Sequence, residues 1–271
     1  MAKSLESKIK KELLSLLKEK REDYEKFFKD FGSGIKYGIY SSYGANKDIL
    51  SDLLMFYSSN EEKLVTLSEY KERITGDDKK IYYASGESIS KIKNMPQVEN
   101  MLNKGIEVLY LTDYLDEFTI KAIGKFDDIE FSNVQDSTID DNLDSEVKEI
   151  NEKNQDMLTI MKDTINVSGV RFSDKLGNHP VALVSEGDIS IEMEKVLKAM
   201  PNSEGVSAKK ILEINKNHDV FKKILDLYTD NREDELKEYT KVLYNMALLI
   251  NGLSVNDPNE LTEIICNIMA K

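Results

Sequence analysis

Two apolar runs near the middle of the chain, Lys80-Ile-Tyr-Tyr-Ala-Ser85 and Gly105-Ile-Glu-Val-Leu-Tyr-Leu-Thr112, restrict the fold most. Both are rich in β-branched and aromatic residues, which reads as strand. Between them, Ser88 to Asn103 has helical spacing interrupted at Pro96. Strand, helix and strand in about thirty residues form a βαβ unit, whose strands run parallel under covering helices.

The flanking segments fit that unit. Leu5 to Phe31 carries apolar residues at helical spacing and is expected to end at Gly32 and Gly34. A second helix is expected from Lys47 to Tyr57, and a short one from Ser68 to Arg73 with Ser68 as N-cap. Asp116 to Gly124 reads as helix and Glu130 to Val134 as strand. The expectation for 1–136 is a helical segment over 1–75 and a small αβα sandwich over 76–136.

Asp136 to Asp156 holds eight acidic residues against Lys148 and Lys153. Such a run reads first as solvated surface. A linker is expected near 136–142, followed by a polar helix that gains an apolar face at Met157, Ile160, Met161 and Ile165. The remainder, 142–271, is expected to be a mixed α+β domain. Its strand candidates are Val167–Phe172, Val181–Val184 and Lys210–Ile214, and two helices, Leu236–Ile250 and Pro258–Met269, close it as a hairpin. The fold class is therefore α/β and α+β. No internal repeat or low-complexity tract occurs.

Charge narrows the partners. Fifty acidic residues against 37 basic give a net charge of -13, a poor match for nucleic acid or an anionic membrane surface. No apolar run has bilayer-spanning length, the start MAKSLESKIKKELL has no signal core, and a single cysteine allows no intrachain disulfide. These features point to the cytoplasm.

Catalytic patterns are thin. His179 in GNHP and His218 in NKNHD read as loop residues without metal-ligand partners, and Cys266 reads as a buried structural thiol. Gly32, Gly34 and Gly38 follow a helix, so they form no dinucleotide loop. The alternative to an interaction protein is a small-ligand or enzyme domain using the turn Ser85-Gly86-Glu87-Ser88, where backbone amides could hold an anion. A plain βα turn explains that stretch equally well.

Apolar faces are more informative. Leu236, Tyr239, Leu243, Met246, Ala247 and Ile250 line one closing helix, and Leu261, Ile264, Ile265 and Ile268 the other. Each helix is too short to stand alone. The hairpin either packs entirely on its own domain or pairs with a second copy as a two-fold four-helix bundle. A further stripe, Ile189, Met193, Val196, Leu197 and Met200, lies on a helix read from Asp188. It faces either the domain's own sheet or something outside the chain.

These stretches resemble a family. KKIYYASGESISKIKNMPQVENMLNKGIEVLYLTDYLDEF looks like the strand-helix-strand segment of the ninety-kilodalton heat-shock chaperones. EKFFKDFGSGIKYGIY, VRFSDKLGNHPVALV, EMEKVLKAM, ILEINKNHDV and DPNEL are similar to further family segments, in family order. The ending IICNIMAK, without an acidic Glu-Glu-Val-Asp tail, resembles the bacterial branch. The resemblance implies a C-terminal fragment: the end of a middle domain plus a dimerisation domain. The family's ATP and magnesium site would lie in an N-terminal domain outside this chain, which would then bind no cofactor and have no ATPase activity. It implies a homodimer through the closing hairpin. It also implies contact with non-native client proteins through Met193, Val196, Leu197 and Met200, with Ile189 and Ile191 at the edge.

Overall fold

The computed structural model describes residues 2–74, 79–136, 145–200 and 205–270. They fall into two compact units, 1–92 with 105–133, and 93–104 with 134–271.

The first unit opens with α1 (Ala2–Glu19) and α2 (Arg21–Tyr40), then α3 (Lys47–Leu50). The helix expected from Leu5 to Phe31 is instead broken at Lys20 and then runs on through Gly32 and Gly34 to Tyr40. Two of its glycines allow close packing rather than ending the helix. A Cβ on Gly32 would meet the Phe28 ring at 3.0 Å, and one on Gly38 would meet Leu50 Cδ1 at 3.1 Å. Gly44 is more demanding. Its φ is +80°, and a Cβ there would lie 2.2 Å from the Ala122 carbonyl oxygen. Gly44→Ala is expected to cost about 3 kcal/mol through strain and overpacking, read as a lower urea midpoint.

The helix expected over Lys47–Tyr57 is a correction. After α3 and one 3-10 turn (Ser51–Leu53), the chain enters β1 (Met55–Ser58). Leu53, Leu54, Met55 and Phe56 are all buried, and a short apolar run of that kind has no period to separate helix from strand. Pairing decides it, because β1 is antiparallel to both β2 (Leu64–Thr66) and β4 (Leu109–Leu111). Helix α4 (Leu67–Arg73) follows, capped by Thr66 in a reciprocal box with Glu69 rather than by Ser68.

β3 (Lys80–Ser85), α5 (Ile89–Lys93), α6 (Pro96–Asn103) and β4 make the expected crossover, with β3 and β4 parallel. Then come α7 (Asp116–Ile123), β5 (Lys125–Phe126) and β6 (Ile129–Asn133). The sheet order is β2-β1-β4-β3-β6-β5, with β6 also parallel to β3. The two-residue turn Asp127-Asp128 joining β5 to β6 has positive φ at both positions, as a type I′ hairpin requires. Tyr24, Phe28, Ile39, Leu67, Ile120 and Ile123 from the helices meet Phe56, Ile81, Tyr83 and Leu109 from the sheet in one core. Buried Lys36 on α2 sits 2.6 Å from buried Asp116 and 3.1 Å from Asp113.

The second unit contains α6, α8 (Ser145–Lys153) and α9 (Gln155–Ile165), then β7 (Gly169–Ser173) and β8 (Val181–Glu186). They are followed by α10 (Ile191–Lys198), β9 (Lys209–Asn215), α11 (Asp219–Thr229), α12 (Glu233–Ile250) and α13 (Pro258–Met269). Its sheet order is β7-β9-β8, with β7 and β9 parallel and β8 and β9 antiparallel. Met157, Met161, Phe172, Leu183, Leu212 and Ile224 form the centre of its core. Helix α11 has no counterpart in the sequence reading, although VFKKILDLY has a helical stripe. His218, read as a loop residue, is its N-cap and accepts from the Val220 N–H. The linker expected at 136–142 lies outside the described residues from 137 onward. Asp136 itself bridges to Ser185. The described chain is thus mixed α/β, with helices and two sheets.

Candidate interaction surfaces

The turn at 85–88 offers little to an anion. The Gly86 N–H already donates to the Leu111 carbonyl at 3.1 Å, and the Lys91 N–H to Ser88 Oγ at 3.3 Å. Helix α5 has five residues, too few for a developed terminal field. Among the described residues, no group of three or more His, Cys, Asp or Glu side chains gathers to hold a metal ion. His179 Nε2 lies 3.0 Å from Glu99 Oε2 on α6. Cys266 is exposed, which corrects its reading as a buried thiol: α13 turns that face away from the unit.

The stripe around α10 divides. The helix starts at Ile191, not Asp188, because the Ser190 hydroxyl caps it by accepting from the Met193 N–H at 3.0 Å. Ile191 is 2% exposed and Met193 9%, so both are packed into their own unit. Ile189, Val196 and Leu197 are half-buried, and Met200 is 43% exposed. Glu194 ties the helix down on its polar side. Its carboxylate accepts from Lys198, Lys210 and the Ala208 N–H. Burial pushes the Glu194 carboxyl up, but these donors outweigh it and hold its pKa below the usual value. Its stabilising contribution is therefore present above the ordinary carboxylate range and is lost on acidification below it. Lys195 pairs with Glu192 and donates to the Asn251 carbonyl at 2.7 Å, at the C-terminal end of α12.

The closing hairpin divides in the same way. Leu236, Leu243 and Ala247 are buried against the sheet and helices of their own unit, with Leu248 beside them. Tyr239 and Ile250 are partly buried on the same core. Ile264 is the one expected α13 residue that is buried, while Leu261 and Ile268 are half-buried. Met246, Leu249, Ile265 and Met269 stand exposed, Met269 at 81%. Each helix thus spends one face on its own unit and leaves a second apolar face open. Leu249 and Met269 lie beside the stripes named from the sequence, on an apolar arc that extends around both helices. The signal for their exposure was the width of the apolar arc, which exceeds what one contact buries.

Comparison with known proteins agrees with the resemblance. Residues 1–271 match the family described as Hsp90 protein. The chain is 52% identical over 276 residues to the chaperone protein HtpG of Clostridium botulinum (strain Langeland), covering 99% of this chain and 44% of that protein. It is 49% identical over 271 residues to the chaperone protein HtpG of Clostridium perfringens (strain ATCC 13124), covering 99% and 43%. The chain thus spans less than half the length of these curated relatives. With a family match along its whole length and this identity, the chain belongs to the Hsp90 protein family.

Proposed function

We propose that these residues serve a cytoplasmic molecular chaperone of the HtpG kind, as its C-terminal part, joining two copies and holding non-native protein. The observation that carries the reading is the open apolar face of α12 and α13, at Met246, Leu249, Ile265 and Met269. Covering such side chains contributes roughly 1.5–3 kcal/mol each, enough for a two-fold bundle of paired hairpins. Leu236, Leu243, Ala247 and Ile264 build the hairpin's inner side, and Leu261, Ile265 and Ile268 reach the partner.

Client contact is assigned to Val196, Leu197 and Met200, with Ile189 at the edge. Flexible, polarisable methionine suits a surface that accepts many sequences. Ile191 and Met193 anchor the helix in its own unit. The work of both surfaces is binding: neither nucleotide, metal, nucleic acid nor membrane takes part. No helix among the described residues is long and apolar enough to cross a membrane.

The test is suppression of aggregation of a heat-denatured protein by the chain and by a Leu197→Ser/Met200→Ser variant. The variant is expected to keep its dimer and its thermal stability within about 1 kcal/mol, since both sites are partly open. Its capacity to hold client is expected to fall severalfold. Unchanged capacity with an intact dimer would remove the client assignment.

A further inference from the structure

Burial divides the methionines of this chain. Among the described residues, Met55, Met95, Met101, Met157, Met161 and Met193 are buried, and Met200, Met246 and Met269 are exposed. Met246 and Met269 lie on the open apolar face of α12 and α13, at 38% and 81% exposure. Met246 stands one turn from exposed Leu249 on α12, and Met269 one turn from exposed Ile265 on α13. Each thioether therefore belongs to an apolar face and not to a polar surface.

Leucine would fill an apolar bundle about as well, since the two side chains exchange at little cost. Methionine differs in its sulfur. Hydrogen peroxide converts an accessible thioether to a sulfoxide. The sulfur lone pair attacks one peroxide oxygen: the S–O bond forms, the O–O bond breaks, and the other oxygen departs as water with both peroxide protons. Sulfur loses two electrons and peroxide gains two. The product is a polar side chain whose oxygen accepts hydrogen bonds. Water satisfies that oxygen on a separated chain, whereas Leu249 and Ile265 have no side-chain donor to offer it in a bundle.

We propose that Met246 and Met269 make the dimer face responsive to peroxide: oxidation on separated chains keeps them apart, and reduction of the sulfoxides lets them pair again. This rests on the dimer reading above and adds regulation to it. A two-fold interface takes each sulfoxide from both copies, so each site counts twice. Pairing covers the thioethers, so their oxidation proceeds through the separated chain and slows as chain concentration rises past the dissociation constant. Met200, just beyond α10 and outside that face, keeps its rate.

The test is dilute hydrogen peroxide on the whole chain. Peptide mass spectrometry reads each methionine, and light scattering across a dilution series reads the mass. Met200, Met246 and Met269 are expected to gain oxygen before the buried methionines. The dissociation constant of the oxidised chain is expected to rise at least about tenfold. Dithiothreitol alone reverses sulfenic acid or disulfide at exposed Cys266 but not a sulfoxide, and is expected to leave the chains apart. Adding the two epimer-specific methionine sulfoxide reductases is expected to restore pairing. A Met246→Leu/Met269→Leu variant keeps Met200 and Cys266, and is expected to pair as before and to be insensitive to peroxide. Unchanged pairing once both sites carry sulfoxide would overturn the switch. So would recovery with dithiothreitol alone, or a leucine variant that dissociates under peroxide like the original. Recovery with the reductases decides the matter even where the leucine variant does not pair, because only a sulfoxide is their substrate. An untreated chain that is monomeric at every concentration counts instead against the dimer reading itself.

Discussion

Ile265→Asp is expected to turn a dimer into a monomer of 31.0 kDa. Ile265 is exposed on the single chain, so the substitution removes little from the protomer's own core. In a two-fold bundle the same residue enters the interface from both copies. Each copy would then bury a carboxylate in apolar surroundings, which costs several kcal/mol per charge. Dimer affinity is expected to fall at least about 100-fold, since each 1.4 kcal/mol is a factor of ten. Light scattering across a dilution series reads the mass, and circular dichroism checks that helix content holds. Ile264→Asp is the contrasting control. Ile264 is buried within the protomer, so its replacement is expected to disrupt α13 itself. An Ile265→Asp chain that stays dimeric would move the interface away from this face.

Lys36→Met is expected to destabilise the first unit by about 3–5 kcal/mol, because it strands Asp116 as a buried charge. Lys36 and Asp116 are 6% and 4% exposed, so the carboxylate left without its ammonium is poorly hydrated. Asp116 Oδ2 accepts from the Asp113 N–H, but its Oδ1 has no aligned donor, so Lys36 at 2.6 Å supplies charge compensation. A Lys36→Met/Asp116→Leu double variant is expected to recover most of the loss, since removing both members of a buried pair is often near neutral. Urea titration measures both, and the two units are expected to be followed as separate transitions. Acid adds a sign. Burial pushes the Asp113 carboxyl up, but the Leu115 N–H, Lys36 and Ser33 outweigh it and hold its pKa low. Its pairing with Lys36 therefore stabilises above the ordinary carboxylate range and is lost as pH falls through the lowered value. Burial holds the Asp116 carboxyl above its ordinary value in spite of Lys36, so the gap between wild type and Lys36→Met is expected to begin narrowing above the ordinary carboxylate range, as Asp116 takes up a proton, and to narrow further as Asp113 protonates.

Legibility in the sequence followed period and local chemistry. The β3–α–β4 crossover was readable because its strands are continuous apolar runs and Pro96 marks the start of α6. Helices α12 and α13 were readable from regular stripes and, for α13, from Asp257 and Pro258 at its start. Residues 54–57 were misread because a run buried at Leu54, Met55 and Phe56 in succession carries no period. Gly32 and Gly34 were misread because a glycine in sequence does not say whether it ends a helix or lets a neighbour come close.

The division of the candidate surfaces lay beyond sequence for a related reason. Met193 and Met200 belong to one apolar stripe, as do Leu243 and Met246, yet the first of each pair is buried and the second exposed. Residue type and spacing along the chain were enough for the crossover and the amphipathic helices, and the family was legible only through the resemblance of whole motifs. Which side of each helix meets its own core was decided by tertiary packing. Burial depends on what arrives from distant sequence, such as β1 joining β4 or Lys195 meeting Asn251, and a local pattern carries no record of it.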